Sequence, residues 1–130
     1  MKIILDTHVA LWMFNDCEKL SVKAEGLLMD EGNELYISLI SAWEIAIKTS
    51  IGKLSEFEGG VKSFLDKLDE TPIDIIPILP CHIELVESLP MIHRDPFDRL
   101  LIAAAVKEKA VILTADENIH KYNPKVRTEW

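Results

Sequence analysis

Cysteine, positive charge and long apolar runs are all scarce in this sequence of 130 residues, and each scarcity removes a class of protein. Only Cys17 and Cys81 are present, far apart and without C-x-x-C spacing, and His82 has no ligand-spaced companion. That pattern argues against a zinc site and for free thiols in a reducing compartment. No uninterrupted apolar stretch approaches the roughly 20 residues that a membrane span needs, and no basic segment followed by an apolar one opens the chain. A soluble, cytoplasmic protein is expected. Lysine and arginine number 14 against 22 aspartates and glutamates, a formal net charge of -8. Proteins that bind nucleic acid through a basic surface gain affinity by placing cations on phosphates, so this composition argues against that mode. A polyanionic substrate would need positive charge from bound metal ions, from a dimer groove that concentrates the few cations, or from a basic partner.

What is present is enough apolar material for a core. Hydrophobic residues make up 48% of the chain and charged ones 28%, unlike a disordered sequence. The length suits one domain over residues 1–130, with no repeat, linker or low-complexity segment. Short apolar runs at Lys2–Leu5, Leu35–Ser38, Ile73–Ile76 and Val111–Leu113 read as strands, with Val126–Thr128 as a fifth. Between them, helical spacing predicts helices over Thr7–Phe14, Ser21–Glu31, a segment capped by Ser41 and stopping near Gly52, Val61–Leu68, Cys81–Leu89 and Pro96–Lys109. The last is apolar on nearly every side from Leu100 to Val106, the mark of a helix buried within the domain. Alternating strands and helices predict an α/β fold, a three-layer α/β/α sandwich around a parallel sheet of four to five strands. Ligand sites in such folds lie outside the carboxyl ends of the strands.

Four acids belong at that edge. Asp6 follows the first strand, Asp116 follows the fourth, and Glu44 and Asp98 fall in first turns of helices whose N-termini point the same way. Each also has a structural role open to it. Asp6 can cap the helix that follows, and Asp116 can cap a short helix over Glu117–Lys121. Ser41 to Glu44 fits the S-x-x-E capping box, and Asp95-Pro96-Phe97-Asp98 offers an N-cap, an N1 proline and an N3 acid. The set argues for more. Asp98 shares a helical face with Leu101, Ile102 and Ala105, and Glu44 lies among Trp43, Ile45 and Ile47. A carboxylate on a buried stripe is costly unless a cation or hydrogen bonds compensate it. Clustered carboxylates repel one another and stay ionised at neutral pH only beside a strong cation. Oxygen ligands without Cys or His select Mg²⁺ or Mn²⁺ over Zn²⁺. One such ion, or two about 3.5–4 Å apart, supports phosphodiester hydrolysis by activating a water, contacting the phosphate and stabilising the leaving oxygen.

Four motifs then carry a resemblance: D-T-H-V-A-L-W at Asp6–Trp12, S-A-W-E-I-A-I-K at Ser41–Lys48, H-R-D-P-F-D-R-L-L-I-A-A-A at His93–Ala105, and L-T-A-D-E at Leu113–Glu117. In this order and spacing, across the whole chain, they resemble the PIN-domain ribonucleases, and among these the VapC-type toxins of toxin–antitoxin pairs. The resemblance implies a Mg²⁺- or Mn²⁺-dependent endoribonuclease that hydrolyses RNA with a metal-activated water, forms a homodimer and is inhibited by a cognate antitoxin. It assigns Asp6, Glu44, Asp98 and Asp116 to catalysis and to one or two metal ions. Thr114 falls where a hydroxyl supports the metal site. Asp95 matches a further acid of this subgroup, read first as N-cap and second as a distant metal or water contact.

Arg94, Arg99 and Lys48 are candidates for holding substrate phosphate, set against solvated or dimer-interface arginines and an ordinary Glu44–Lys48 helix ion pair. His8 and His93 are candidates for a general base or for structural hydrogen bonding. Trp12 and Trp43 are candidates for base stacking or core packing. A rival reading is a catalytically inactive PIN-like module that binds proteins, against which the intact set of four acids stands. A receiver domain would need its acceptor aspartate after the third strand, where Ile76-Pro77-Ile78 stands. A phosphatase with a D-x-D nucleophile fails because position 8 is histidine.

Overall fold

The computed structural model describes residues 1–130. In chain order the elements are β1 (Lys2–Leu5), α1 (Thr7–Asn15), a 3-10 turn (Cys17–Lys19), α2 (Val22–Met29), β2 (Glu34–Ser38) and α3 (Leu39–Ser50). Then come α4 (Gly60–Asp69), β3 (Asp74–Ile76), α5 (Pro80–Ser88), α6 (Pro96–Glu108), β4 (Val111–Leu113), α7 (Glu117–His120) and β5 (Thr128–Glu129). All five strands pair in parallel, in the order β3-β2-β1-β4-β5. The chain runs outward from β1 through β2 to β3, then returns through α5 and α6 to add β4 on the other side of β1. The order therefore reverses at β1 and β4, which opens a crevice between their carboxyl ends. Their register pairs Leu5 with Leu113, so Asp6 and Thr114 leave the sheet side by side.

The central strands are apolar without interruption because both faces are covered. Ile3, Ile4 and Leu5 of β1 and Ile112 and Leu113 of β4 are fully buried. Alternation along β1 sends Ile3 and Leu5 into one layer, with Val9, Ile37, Ile45, Phe64 and Leu68. Ile4 points the other way, to Leu101, Ile102, Ala105, Ile112 and Ile119. The expected three-layer sandwich is thus what forms, with five strands. Helix α6 is the buried one: Leu101 to Ala105 are all enclosed, and its small Ala103, Ala104 and Ala105 let it lie close to its neighbours.

Several boundaries differ from expectation for local reasons. Helix α3 begins at Leu39 instead of after Ser41, because Ser38 ends β2 and immediately caps the helix, its Oγ accepting the Ile40 N–H. Helix α2 starts on its Ser21 cap but stops at Met29, where the Asp30 carboxylate accepts the Gly32 N–H and turns the chain. The fifth strand is Thr128–Glu129, because Val126 is drawn into the core beneath it. Both cysteines are free thiols. No helix is long and apolar enough to cross a membrane.

Candidate active site

The crevice at the carboxyl edge is an open groove of about 450 Å³ lined by Asp6, His8, Trp12, Glu44, Lys48, His93, Asp95, Asp98, Ala115 and Asp116. The fold thus brings all four acids singled out in the sequence to one place, from four separate segments.

Asp6 occupies the N-cap position of α1, yet its side chain caps nothing. Its carboxylate instead accepts the Thr114 hydroxyl at 2.8 Å, across the β1–β4 junction. Thr114 is fully buried, and its Oγ also accepts the Asp116 N–H at 3.0 Å, so one hydroxyl ties two acid-bearing loops together. Burial pushes the Asp6 carboxyl above its ordinary range despite the Thr114 hydrogen bond.

Glu44 is 3% exposed. Because α3 starts at Leu39, Glu44 sits in the second turn and not at N3 of a capping box. The serine read as that cap, Ser41, is buried and hydrogen-bonds the Thr7 hydroxyl at 2.8 Å. Thr7 in turn donates to Glu44 Oε1 at 2.7 Å, while Lys48 one turn later pairs with Oε2. Burial alone would lower the Lys48 pKa, but the hydrogen bond and charge of Glu44 outweigh it and hold the ammonium above its usual range. Lys48 therefore makes the helix ion pair and lines the groove as well.

Asp98 stands at N3 of α6, and Asp95 caps that helix as expected, accepting the Phe97 N–H at 2.8 Å. The Asp98 carboxyl is pushed up to about 8, first by burial and then by the charges of Asp6, Asp95, Glu44 and Asp116. Asp116 shows that capping and membership of the cluster are compatible. One oxygen accepts the Asn118 N–H at 2.8 Å, and the other faces His93 Nε2 at 2.9 Å. Burial raises its pKa, but the His93 and backbone hydrogen bonds reverse that and hold the carboxyl below its ordinary range. His93 Nε2 and one oxygen each of Asp98 and Asp116 lie within 4.8 Å of one another.

Of the two candidate arginines, Arg94 is exposed, between the groove residues His93 and Asp95. Arg99, by contrast with its expected role at substrate phosphate, is 7% exposed and turned away, donating to Pro90 O and Val86 O at 3.0 Å each. One residue along a helix rotates the side chain by about 100°, so Arg99 faces the carbonyls at the end of α5 while Asp98 faces the groove.

The donor set is chemically that of a hard divalent cation, four carboxylates with hydroxyl and imidazole groups behind them. A PIN domain family model matches residues 3–124. The chain belongs to the PIN-domain family. It is 28% identical over 130 residues to ribonuclease VapC22 of Mycobacterium tuberculosis, covering 98% of each chain. Its fold is similar to that in the crystal structure of VapBC2 from Rickettsia felis bound to a DNA fragment from its promoter. That match has a TM-score of 0.73 at 20% identity over 99% of this chain and 98% of the other. It is also similar to VapBC-5 of Mycobacterium tuberculosis, a member of the VapBC family of toxin–antitoxin systems, with a TM-score of 0.64 at 13% identity over 98% and 95%.

Within this PIN fold, sequence reasoning passed over Thr7, whose hydroxyl fixes Glu44. The signal was there in Asp6-Thr7, a hydroxyl directly after an edge carboxylate. It also left His93 open between two roles, and its hydrogen bonds are visible only in three dimensions.

Proposed function

We propose that this PIN-domain protein is a divalent-metal-dependent endoribonuclease of the VapC type. The observation that carries the reading is charge imbalance. Asp6, Glu44, Asp95, Asp98 and Asp116 line one groove against a single lysine, and Asp98 is pushed up to about 8, first by its burial and then by the neighbouring acids. A site with that much repulsion is costly unless it serves a cation.

Asp6, Asp98 and Asp116 would hold Mg²⁺ or Mn²⁺ or the waters around it, with Glu44 completing the set or orienting the attacking water. When bound, the cation would balance the carboxylates, contact the scissile phosphate and lower the pKa of water. Thr114 and Thr7 keep Asp6 and Glu44 in fixed rotamers, so the carboxylates need little reorganisation. Water oxygen would bond to phosphorus as the P–O bond to the leaving nucleotide breaks, the water's proton passing to a groove carboxylate and the leaving oxygen taking up a proton from solvent. Lys48 and the exposed Arg94 would meet substrate phosphates beside the acids. The net charge of -8 leaves little other attraction for RNA.

We further infer protein partners, a second copy of this chain and a cognate antitoxin. Leu39, Trp43 and Ile47 of α3 and Ile51 at its C-cap recur every fourth residue and are all exposed. Such an apolar row, beside the groove, suits an isologous helix pairing between two copies. Trp43→Glu is then expected to convert a dimer to a monomer in light scattering. A chain that is monomeric before the change would remove that inference.

The deciding experiment is cleavage of a mixed single-stranded and structured RNA pool by the purified chain with Mg²⁺, with Mn²⁺ and with EDTA, beside Asp98→Asn. Metal-dependent cleavage that the variant lacks is the expected result. No cleavage by a folded protein that calorimetry shows binds neither ion would overturn the reading in favour of a protein-binding module.

A further inference from the structure

His93 sits where a fourth or fifth ligand could stand, but its hydrogen bonds point to another job. Its Nδ1 accepts the Asp95 backbone N–H at 3.1 Å. An amide N–H cannot accept, so in the neutral ring the proton must be on Nε2. That nitrogen faces Asp116 Oδ2 at 2.9 Å, with Asp98 Oδ2 at 3.2 Å. Histidines that ligate metals have the opposite arrangement, donating from the far nitrogen so that the near one presents its lone pair.

Resting on the metal-dependent reading above, we propose that His93 is a positioning residue. Its Nε2–H locks the Asp116 carboxylate in the orientation that meets the cation, and His93 is not itself a ligand.

The surroundings are built to hold that ring. The Tyr122 hydroxyl accepts the His93 N–H at 3.0 Å and donates to Pro90 O at 2.7 Å. Buried Arg99 donates to Pro90 O and to the end of α5, so the segment before His93 is clamped from two sides. Asp116 needs such help more than the other acids do. Its side chain is 33% exposed at the start of a four-residue helix, whereas Asp6 and Glu44 are enclosed. With Asn118 N–H on one oxygen and His93 on the other, the plane of the carboxylate is fixed by two segments.

Two substitutions separate the two nitrogens. His93→Gln reaches as far as Nε2 and keeps a donor for Asp116. His93→Asn reaches only Nδ1 and keeps an acceptor for the Asp95 N–H. Mg²⁺ and Mn²⁺ binding by calorimetry on the full chain is expected to stay near wild type in His93→Gln and to weaken about 10-fold in His93→Asn, as for outer-shell partners generally. The reverse order would make the role structural only, and equal affinity in both would remove it. Nitrogen NMR of the ring gives an independent readout. The metal-free protein should show a protonated Nε2 that keeps its proton when Mg²⁺ is added. Loss of that proton on metal binding would make His93 a ligand and overturn the proposal. A wild-type chain that binds neither ion would instead defeat the metal-dependent reading, while the metal-free spectrum would still decide the tautomer.

Discussion

The two edges of the sheet use the same residue types to opposite ends. At the amino edge, Glu108 at the end of α6 meets Lys2 at 3.0 Å and the fully buried His82 at 3.1 Å, so one acid has two basic partners. Hydrogen bonding to Lys2 leads, and the Glu108 carboxyl lies below its ordinary range. At the carboxyl edge, acids outnumber cations, and Asp6 and Asp98 are driven upward by burial first and by their acidic neighbours second. A chain that can balance a partly buried acid at one edge and leaves several unbalanced at the other is tolerating strain where a ligand can relieve it.

The sharpest way to break this contrast is to remove one unbalanced charge. Asp6→Asn should lower RNA cleavage by more than the about 10- to 100-fold typical of outer-shell partners, while thermal unfolding stays cooperative. Cleavage at the wild-type rate would mean that the carboxyl edge is not the catalytic one. Thr114→Val tests the layer behind Asp6: with its hydroxyl gone, Mg²⁺ affinity by calorimetry should fall about 10-fold. An unchanged affinity would show that Asp6 needs no orientation.

Next in size is a stability effect with a definite sign. Asp98 has a folded pKa of about 8 against an ordinary 3.8, so between those values the folded state binds the extra proton. Stability of the metal-free protein therefore falls as pH rises through that window. Asp98→Asn should flatten the fall and raise Tm at pH 8 by about 5 °C in EDTA. Saturating Mg²⁺ should flatten it in the wild type too, because the cation replaces the proton. A Tm that climbs from pH 5 to pH 8 without metal would contradict the charge imbalance.

How much of this contrast could be read from the sequence depended on what decides each position. Asp6 and Asp116 were legible because one follows an apolar strand run directly and the other follows one after Thr114 and Ala115, and parallel strands force such residues to one edge. The α6 cap was legible because proline admits few alternatives after Asp95. The start of α3 was not: Ser38 and Ser41 both suit an N-cap, and the choice is made by where β2 stops pairing with β1 and β3. Arg99 is open in the sequence to phosphate binding, solvation or a dimer interface because it adjoins Asp98, but a helix turns neighbours apart, and only the packing of α5 shows which carbonyls it meets. The amino-edge cluster joins residues far apart in the chain, Lys2, His82 and Glu108, and no local pattern announces it.

The smallest effect tests the balanced edge. Glu108→Gln should leave RNA cleavage and Mg²⁺ affinity unchanged, since the residue lies at the opposite end of β1 from the groove. It should cost about 1 kcal/mol at pH 7, because the ion pair with Lys2 is partly exposed and weak while His82 beneath it is enclosed and loses a charged acceptor. The pH dependence has the opposite sign to that of Asp98. A folded pKa below the ordinary 4.5 gives stability that is present above pH 4.5 and disappears as pH falls through the folded value. Wild type and Glu108→Gln should therefore differ in Tm at pH 7 and converge near pH 3. If the variant lost cleavage as well, the two edges would be coupled through α6, and the separation of a stabilising edge from a reactive one would not hold.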